Sequence, residues 1–337
     1  MVLGDMQMEH SPIALSERLD ENLRNAFNYN SISISIGTRP VGFRFFQNII
    51  NISAKLDEMD LIVTGEADSL EVAIAKAKSE LIERSAIVSL PLNPSIKNSN
   101  GWAGHPNLVQ AKINAINELV ERDAVLSHWY ACIPFQKIQD SDLPLNIQLW
   151  VKDELFRSEL CHLTVLLSTA GIGPSVTCIL SNEKGFGVSG HATREVLTNA
   201  IESAIAEACR AAHAYLRHEH WNDTLKLKNG ELGKVQPGAH ALYYAYHEPF
   251  PSWIFGSEVN LSQAIQDWNE RISILSKNIS TFSFQTVLES PIFVGFAKHP
   301  RSFDLQWGTT SENEVLNSAG AKRMGLNSVN KQAHIVA

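Results

Sequence analysis

The sequence predicts an α+β fold in which glutamate-bearing helices pack on a β-sheet, and three patterns indicate it. Serine and isoleucine alternate strictly over residues 31–36, which is typical of a half-buried strand. A helical pattern at residues 73–84 recurs 38 positions later, at residues 111–122. Two apolar, strand-like runs at 163–167 and 176–180 then precede a third helical segment. Helical and strand periods alternating within one chain favour a mixed architecture over a helical bundle or a β-sandwich.

The first half of the chain has clear strand ends and a helix start. Gly37 and Gly65 follow its two strand-like runs, where glycine commonly ends a regular element. Asp68 and Ser69 then offer side-chain oxygens that can cap the N-terminus of a helix. The predicted elements are an amphipathic stretch at 15–27, strands at 31–36 and 61–64, helices at 69–88 and 107–131, and a loop rich in Asn, Ser, Gly and Pro at 91–106.

The second half repeats the strand-to-helix order. Its predicted elements are a loop at 134–146, strands at 163–167 and 176–180, a helix at about 193–217, a strand pair at 282–287 and 292–297, and flanking turns at glycines 171, 173, 185, 187 and 190. No long linker or sharp change of composition divides the chain, so we predict one composite domain. Residues 1–58 belong to the same fold, residues 59–318 form the catalytic domain, and residues 319–337 form a polar tail.

Composition and charge exclude some classes of function. The formal net charge of −8 argues against a broad nucleic-acid or anionic-membrane surface. No apolar run approaches the roughly 20 residues that a membrane-spanning helix needs. The first residues are acidic where a signal peptide would be basic and then apolar. We therefore expect a cytoplasmic protein that binds neither nucleic acid nor membrane.

The repeated helix carries two glutamates and an arginine at fixed spacing. The shared pattern is Ala-x3-Ala-x2-Glu-Leu-x-Glu-Arg, and a partial third copy ends at Glu207 and Arg210. Since successive helical residues turn by about 100°, Glu80 falls on the face of the two alanines. Alanine lets another element approach closely, so a glutamate on that face would be buried, which is costly unless it is paired or binds a cation.

Clustered carboxylates suit a hard cation such as Mg²⁺, which is commonly shared with substrate phosphates. The arginines beside them could hold phosphate oxygens. A second interpretation stays open, because glutamate and arginine four residues apart also form ordinary surface ion pairs on a helix. No phosphate-binding glycine loop of the GxxxxGK[ST] type is present, so any nucleotide would have to be held by carboxylates and metal.

Three segments together resemble the YcaO superfamily. Residues 99–106 (Ser-Asn-Gly-Trp-Ala-Gly-His-Pro) and the second repeat, through Asp123 and Trp129, are similar to its central signature. The first repeat resembles the first helix of that signature, and Ser189-Gly190-His191 leading to Glu207 resembles its third element. The resemblance covers about residues 60–215. It identifies the chain as a divergent member with a composite YcaO-like domain.

The resemblance implies an enzyme of the azoline cyclodehydratase type that uses ATP and Mg²⁺ on the amide backbone of a ribosomally made precursor peptide. In that chemistry a nucleophile adds to an amide carbonyl, and ATP phosphorylates the resulting oxygen so that it can leave. The implied Mg²⁺ ligands are Glu80, Glu83, Glu118 and Glu121. The implied nucleotide-site residues are Arg84 and Arg122 beside the phosphates, Gln110 where relatives carry a carboxylate, and Glu207.

The reaction and the partners follow from the same resemblance. We expect a leader-binding partner protein. The resemblance is also compatible with a flavin-dependent dehydrogenase as a further partner and with a homodimer. Two alternatives remain open: a thioamide-forming enzyme, and a catalytically weakened subunit that serves as a scaffold. The scaffold is motivated by Gln110 and by the third helix, which has Arg210 and Ala212 where relatives have Gln and Arg.

Overall fold

The computed structural model describes residues 29–38, 48–67, 69–89, 100–155, 158–231, 235, 237–275, 279–285, 292–304 and 311–336. The amphipathic stretch predicted at 15–27 lies outside the described residues. The chain divides into two compact units. The first unit comprises the described residues up to Ala115 and those within Thr281–Phe296, and the second comprises the described remainder. The domain boundaries expected at residues 58 and 318 stay predictions.

Strands and helices alternate along the chain. The strands are β1 (Tyr29–Thr38), β2 (Asn48–Leu56), β3 (Met59–Ala67), β4 (Trp102–His105), β5 (Phe135–Ile138), β6 (His162–Leu167), β7 (Val176–Ser181), β8 (Gly187–Ala192), β9 (Phe255–Val259), β10 (Ser280–Gln285) and β11 (Phe293–Lys298). The helices are α1 (Leu70–Ser89), α2 (Leu108–Ala131), α3 (Leu145–Asp153), α4 (Leu197–Leu216), α5 (Trp221–Lys228), α6 (Pro237–Tyr246), α7 (Leu261–Leu275), α8 (Glu312–Asn317) and α9 (Ala319–Met324). Among the described residues, no helix is both long and apolar enough to cross a membrane.

In the first unit, α1 packs on an antiparallel sheet of order β1-β2-β3. The alternation predicted for β1 is confirmed, since its serines are exposed and its isoleucines pack against the core. The Ser69 side chain accepts a hydrogen bond from the main chain of Val72, as its predicted capping role requires. A methyl group at Gly65 would overlap the main chain of Ala73, so the first repeat alanines bring α1 directly onto β3.

A second small sheet of the first unit has the order β10-β11-β4. The predicted late strand pair is thus confirmed, but β4 pairs antiparallel with β11 inside the segment predicted as a loop at 91–106. Trp102 explains the difference, because its ring is buried 4.8 Å from the ring of Phe296, and a distant strand supplies its pairing. A methyl group at Gly295 would lie 2.6 Å from the carbonyl oxygen of Ala111. The second repeat therefore also places an alanine against a strand glycine.

The second unit contains a five-stranded sheet of order β8-β7-β6-β5-β9. Its strands pair antiparallel except for the parallel pair of β5 with β9. The strand β5 and the start of α3 fall within the loop predicted at 134–146, so that prediction is wrong there. The buried Phe135 and Ile138 form a pattern too short to be separated from a loop by periodicity.

Two glycines predicted as turn residues, Gly187 and Gly190, lie instead within β8. The reason is close packing, because a methyl group at Gly190 would overlap the main chain of Ala204 and Ala208 on α4. The predicted turn character is confirmed at Gly171 and Gly185, which have φ angles of +97° and +80°. The third copy of the repeat therefore also packs its alanine on a strand glycine.

The segment 330–336, predicted as part of a polar tail, packs on the second unit and is buried at residues 334–336. Its carbonyl oxygens at 332, 333, 334 and 335 accept hydrogen bonds from Trp129, Tyr244, His240 and the pair Ser189 and His191, respectively. Ile335 and Val336 are 0% and 1% exposed. The sequence hides this role because main-chain carbonyls, rather than a periodic apolar face, make most of the specific contacts.

Candidate functional site

In the first repeat, one glutamate forms an ion pair and the other accepts a main-chain hydrogen bond. Glu80 lies 2.7 Å from Arg84, and their side chains keep 34% and 41% of their exposure. The expectation that Glu80 would be buried on the alanine face is therefore wrong, although Ala73, Ala77 and Leu81 of that helix are fully buried. Glu83 accepts a hydrogen bond from the main-chain N–H of Gly104 at 3.0 Å. The ordinary helix ion pair between glutamate and arginine, which the second interpretation predicted, is present in this copy.

Gln110 lies on the first turn of α2, still within the first unit. Its side-chain amide donates to Asn114 at 2.7 Å. Its main-chain N–H donates to the side chain of Asn107, which caps this helix. The residue that replaces a carboxylate in the resemblance thus takes part in a neutral amide pair.

The second repeat again pairs its first glutamate with its arginine. Glu118 lies 2.6 Å from Arg122, and their side chains are 21% and 15% exposed. This pair is better shielded from water than its counterpart in the first repeat, so its electrostatic attraction is screened less.

Glu121, the second glutamate of this repeat, stands beside Glu207 of the third repeat. Burial, and then the negative charge of Glu207, raise the pKa of Glu121 to about 8. The positive charges of Arg194 and Arg122 and a main-chain hydrogen bond from Thr193 oppose this rise. Two neighbouring carboxylates, one with a raised pKa, favour either a retained proton or a bound cation.

The end of β8 fixes the second carboxylate of this pair. The main-chain N–H of His191 donates to Glu207 Oε2 at 2.6 Å. The ring Nε2 of His191 lies 2.9 Å from the carbonyl oxygen of Ile335, which can only accept, so Nε2 carries the proton. The Thr177 hydroxyl then donates to Nδ1 at 3.0 Å. Burial lowers the pKa of this histidine despite the nearby Glu207, so the ring is neutral and held in one tautomer.

The structure groups the predicted site residues in two ways. Within the first unit it gives the pair of Glu80 with Arg84, with Glu83 and Gln110 each bound to other partners. Within the second unit it brings Glu121, Glu207 and Arg122 into electrostatic contact. Over the described ranges, no three His, Cys, Asp or Glu side chains converge closely enough to form a ready-made metal site. The pair Glu121 and Glu207 is nevertheless the observation that fits a divalent cation, because two neighbouring carboxylates repel each other and the pKa of Glu121 stays raised despite the nearby arginines.

The comparison with protein families decides the class of the chain. Residues 90–281 match the family model described as YcaO cyclodehydratase, ATP- and Mg²⁺-binding, which is more than half of the chain. The chain belongs to the YcaO family. It is therefore an ATP-dependent, peptide cyclodehydratase-like enzyme whose cofactors are ATP and Mg²⁺. None of the curated proteins matches it.

Solved structures support the YcaO fold. The chain is similar to YcaO from Methanopyrus kandleri bound with AMPPCP and Mg²⁺, with a TM-score of 0.53, 13% identity and coverage of 90% of this chain and 95% of that one. It is also similar to a chain of the E. coli microcin synthetase McbBCD complex with pro-MccB17 bound, with a TM-score of 0.53, 12% identity and coverage of 80% and 88%. At this identity the likeness shows the fold alone. The predicted α+β class and YcaO membership are confirmed.

Sequence reasoning missed two residues next to the carboxylate pair. Thr193 donates its main-chain N–H to Glu121, and Arg194 contributes a positive charge there. They lie two and three residues after the His191 of the Ser-Gly-His motif, just past the end of β8, and this position was the only available signal. No periodic pattern marks a main-chain donor.

Proposed function

We propose that this YcaO enzyme cyclodehydrates Cys, Ser or Thr residues of a ribosomally made precursor peptide to azolines, during maturation of a bacteriocin-like peptide. The observation that carries the proposal is the neighbouring pair of carboxylates Glu121 and Glu207, which fits the Mg²⁺ of an ATP site in a YcaO chain. The fold likeness to a microcin synthetase complex with a bound pro-peptide supports a peptide substrate and a partner protein that binds its leader.

The proposal assigns roles to the residues expected from the resemblance. Glu80, Glu83, Glu118 and Glu121 would hold Mg²⁺. Arg84, Arg122, Gln110 and Glu207 would belong to the nucleotide site, where Glu207 adds a second carboxylate beside Glu121. Bound ATP would supply the phosphoryl group that turns the amide oxygen into a leaving group.

The chain's own residues prepare that site in definable ways. His191 orients Glu207 through its main chain, and Ile335 and Thr177 hold the neutral ring of this histidine. The ion pair of Glu118 with Arg122 keeps an arginine close to Glu121. Together these contacts preorganise charge before any ligand binds, which lowers the cost of binding a polyanion and its cation.

A catalytically weakened scaffold is the second candidate, and a specific observation favours it. The Gln110 amide is engaged with Asn114 and offers no negative charge where relatives have a carboxylate. A site with one fewer charge would bind Mg²⁺ more weakly. We therefore regard ATP turnover as the property that separates the two candidates.

The test uses the purified chain with precursor peptide, leader-binding partner, ATP and Mg²⁺. We expect phosphate release and a product that has lost one water per modified residue in mass spectrometry. Exchange of an oxygen for a sulfur would indicate a thioamide product instead. Absence of phosphate release with all components present would favour the scaffold. Glu80→Gln and Glu118→Gln should each reduce Mg²⁺-dependent ATP turnover without unfolding the chain.

A further inference from the structure

The strand end at residues 191–194 contacts both carboxylates of the Glu121 and Glu207 pair. The main-chain N–H of His191 donates to Glu207 at 2.6 Å, and two residues later Thr193 donates its main-chain N–H to Glu121. Arg194 is the next residue of this segment. Its side chain therefore starts from a point adjacent to both carboxylates.

The main chain that carries Arg194 is fixed from two sides. The Thr193 hydroxyl donates to the carbonyl oxygen of Pro174 at 2.9 Å. The indole N–H of Trp268 lies 3.2 Å from the carbonyl oxygens of both Arg194 and Glu195. Thr193 and Trp268 are buried, so these contacts persist in the absence of any ligand. The starting point of the arginine side chain is thus preorganised.

The guanidinium of Arg194 differs from those of the arginines in the repeats. Arg84 and Arg122 each form an ion pair with a glutamate, at 2.7 and 2.6 Å. Arg194 is exposed and donates through Nη1 to the carbonyl oxygen of Thr193 at 2.7 Å. Across the part of the chain that the structure describes, it has no carboxylate within ion-pair distance. Its exposed side chain is close enough to Glu121 for its positive charge to lower the pKa of that carboxyl.

An arginine with uncommitted donors beside a cation site is suited to a phosphate oxygen. Guanidinium binds phosphate in a planar, bidentate way that a lysine cannot reproduce. We propose that Arg194 binds a phosphate group of the nucleotide at the Glu121 and Glu207 site. This inference rests on the proposed function and adds to it a phosphate-binding residue outside the repeated helices.

Two binding measurements distinguish this role from simple charge balance. Removal of Arg194 takes a positive charge away from the carboxylate pair, so Mg²⁺ alone should bind as tightly as before or up to several-fold more tightly. The same change should weaken binding of Mg²⁺ with a non-hydrolysable ATP analogue by about 10- to 100-fold, because one charge-assisted phosphate contact is lost. If Arg194 had a purely structural role, its removal would weaken binding of Mg²⁺ alone and of Mg²⁺ with the analogue.

The experiment compares wild type, Arg194→Ala and Arg194→Lys by calorimetric titration with Mg²⁺ alone and with Mg²⁺ plus the analogue. Arg217→Ala is the matched control, since this exposed arginine of the same unit is paired with Glu219 at 2.8 Å. We expect opposite or unequal effects of Arg194→Ala on the two ligands, an intermediate affinity for Arg194→Lys, and no change for the control. Wild-type protein that binds no analogue would overturn the proposed function together with this inference. Wild-type binding that Arg194→Ala leaves unchanged, or parallel loss of both ligands, would overturn the inference alone.

Discussion

The first and second copies of the repeated helix have the same key residues but different electrostatics. In the first copy, Glu80 is paired with Arg84 at about one-third exposure, and Glu83 binds the main chain of Gly104. In the second copy, Glu121 instead faces another carboxylate, Glu207, and burial raises its pKa to about 8. The difference comes from the third copy, which supplies Glu207. The third copy, which matches the repeat pattern at the fewest positions, thus supplies the carboxylate that helps to raise the pKa of Glu121.

The alanines that the three copies share have a common packing role. In each copy an alanine of the helix lies against a glycine of a strand, with Gly65, Gly295 and Gly190 as the three partners. The repeat therefore encodes how a helix lies on a sheet. Chemistry is then determined by which side chains the neighbouring elements bring to the glutamates.

The largest expected effect concerns ATP turnover in the second unit. Glu121→Gln and Glu207→Gln should each lower Mg²⁺-dependent ATP turnover by about 100-fold, because each removes one charge from the proposed cation site. Phosphate release under steady-state conditions measures it, with circular dichroism as the folding control. Near-normal turnover in both variants would show that the Glu121 and Glu207 pair has no part in catalysis.

The packing role of the repeat can be tested by adding single methyl groups. Gly65→Ala and Gly190→Ala should each lower the free energy of unfolding by about 1–3 kcal/mol, because the new Cβ overlaps helix main chain. Gly37→Ala is the matched control, since no atom of the described residues lies within 4 Å of the added Cβ. Chemical denaturation measures all three. Equal stability of the Gly37 and Gly190 variants would refute the shared helix-on-strand contact.

A pH series should reveal the raised pKa of Glu121. The folded-state pKa of Glu121 lies above its ordinary value of 4.5, so its contribution to stability is present at acidic pH and is lost as pH rises through about 8. Glu121→Gln removes this loss and should raise the free energy of unfolding at pH 9 by about 1–2 kcal/mol relative to wild type. At pH 5 the two proteins should differ less. Thermal unfolding of the Mg²⁺-free proteins measures the trend, and a gain that does not depend on pH would count against it.

The smallest effect is expected in the first copy. Glu80→Gln breaks an ion pair whose partners are 34% and 41% exposed, so the loss of unfolding free energy should be below about 1 kcal/mol. Denaturant titration at two salt concentrations checks this value and its screening. A large loss would mean that the pair supports the first unit structurally, contrary to its exposure.

These contrasts indicate what a sequence can predict. The alternation in β1, the cap at Ser69 and the three repeat helices follow from local patterns, and the structure confirms them. β4 and β8 were not predictable, because their strand character depends on pairing with β11 and on close packing of α4 at Gly190. Strand pairing over a long sequence separation leaves no local signal.

The sequence likewise predicts only part of the candidate site. The repeat and the family resemblance named Glu121 and Glu207, but only the structure shows that burial and mutual repulsion raise the pKa of one of them. The contribution of the segment 330–336 was hidden, because its main-chain carbonyl at Ile335 holds His191. Main-chain contacts of this kind are independent of side-chain identity, and so the sequence does not record them.

Calorimetric titration of Mg²⁺ at pH 7 in two buffers of different ionisation enthalpy tests the central claim most directly. If Mg²⁺ binds at the Glu121 and Glu207 pair, it must displace the proton that the raised pKa of Glu121 retains at this pH. We predict release of about one proton per bound Mg²⁺ from wild type and almost none from Glu121→Gln. Absence of Mg²⁺ binding, or binding with equal proton release in both proteins, would contradict the assignment of this pair as the cation site.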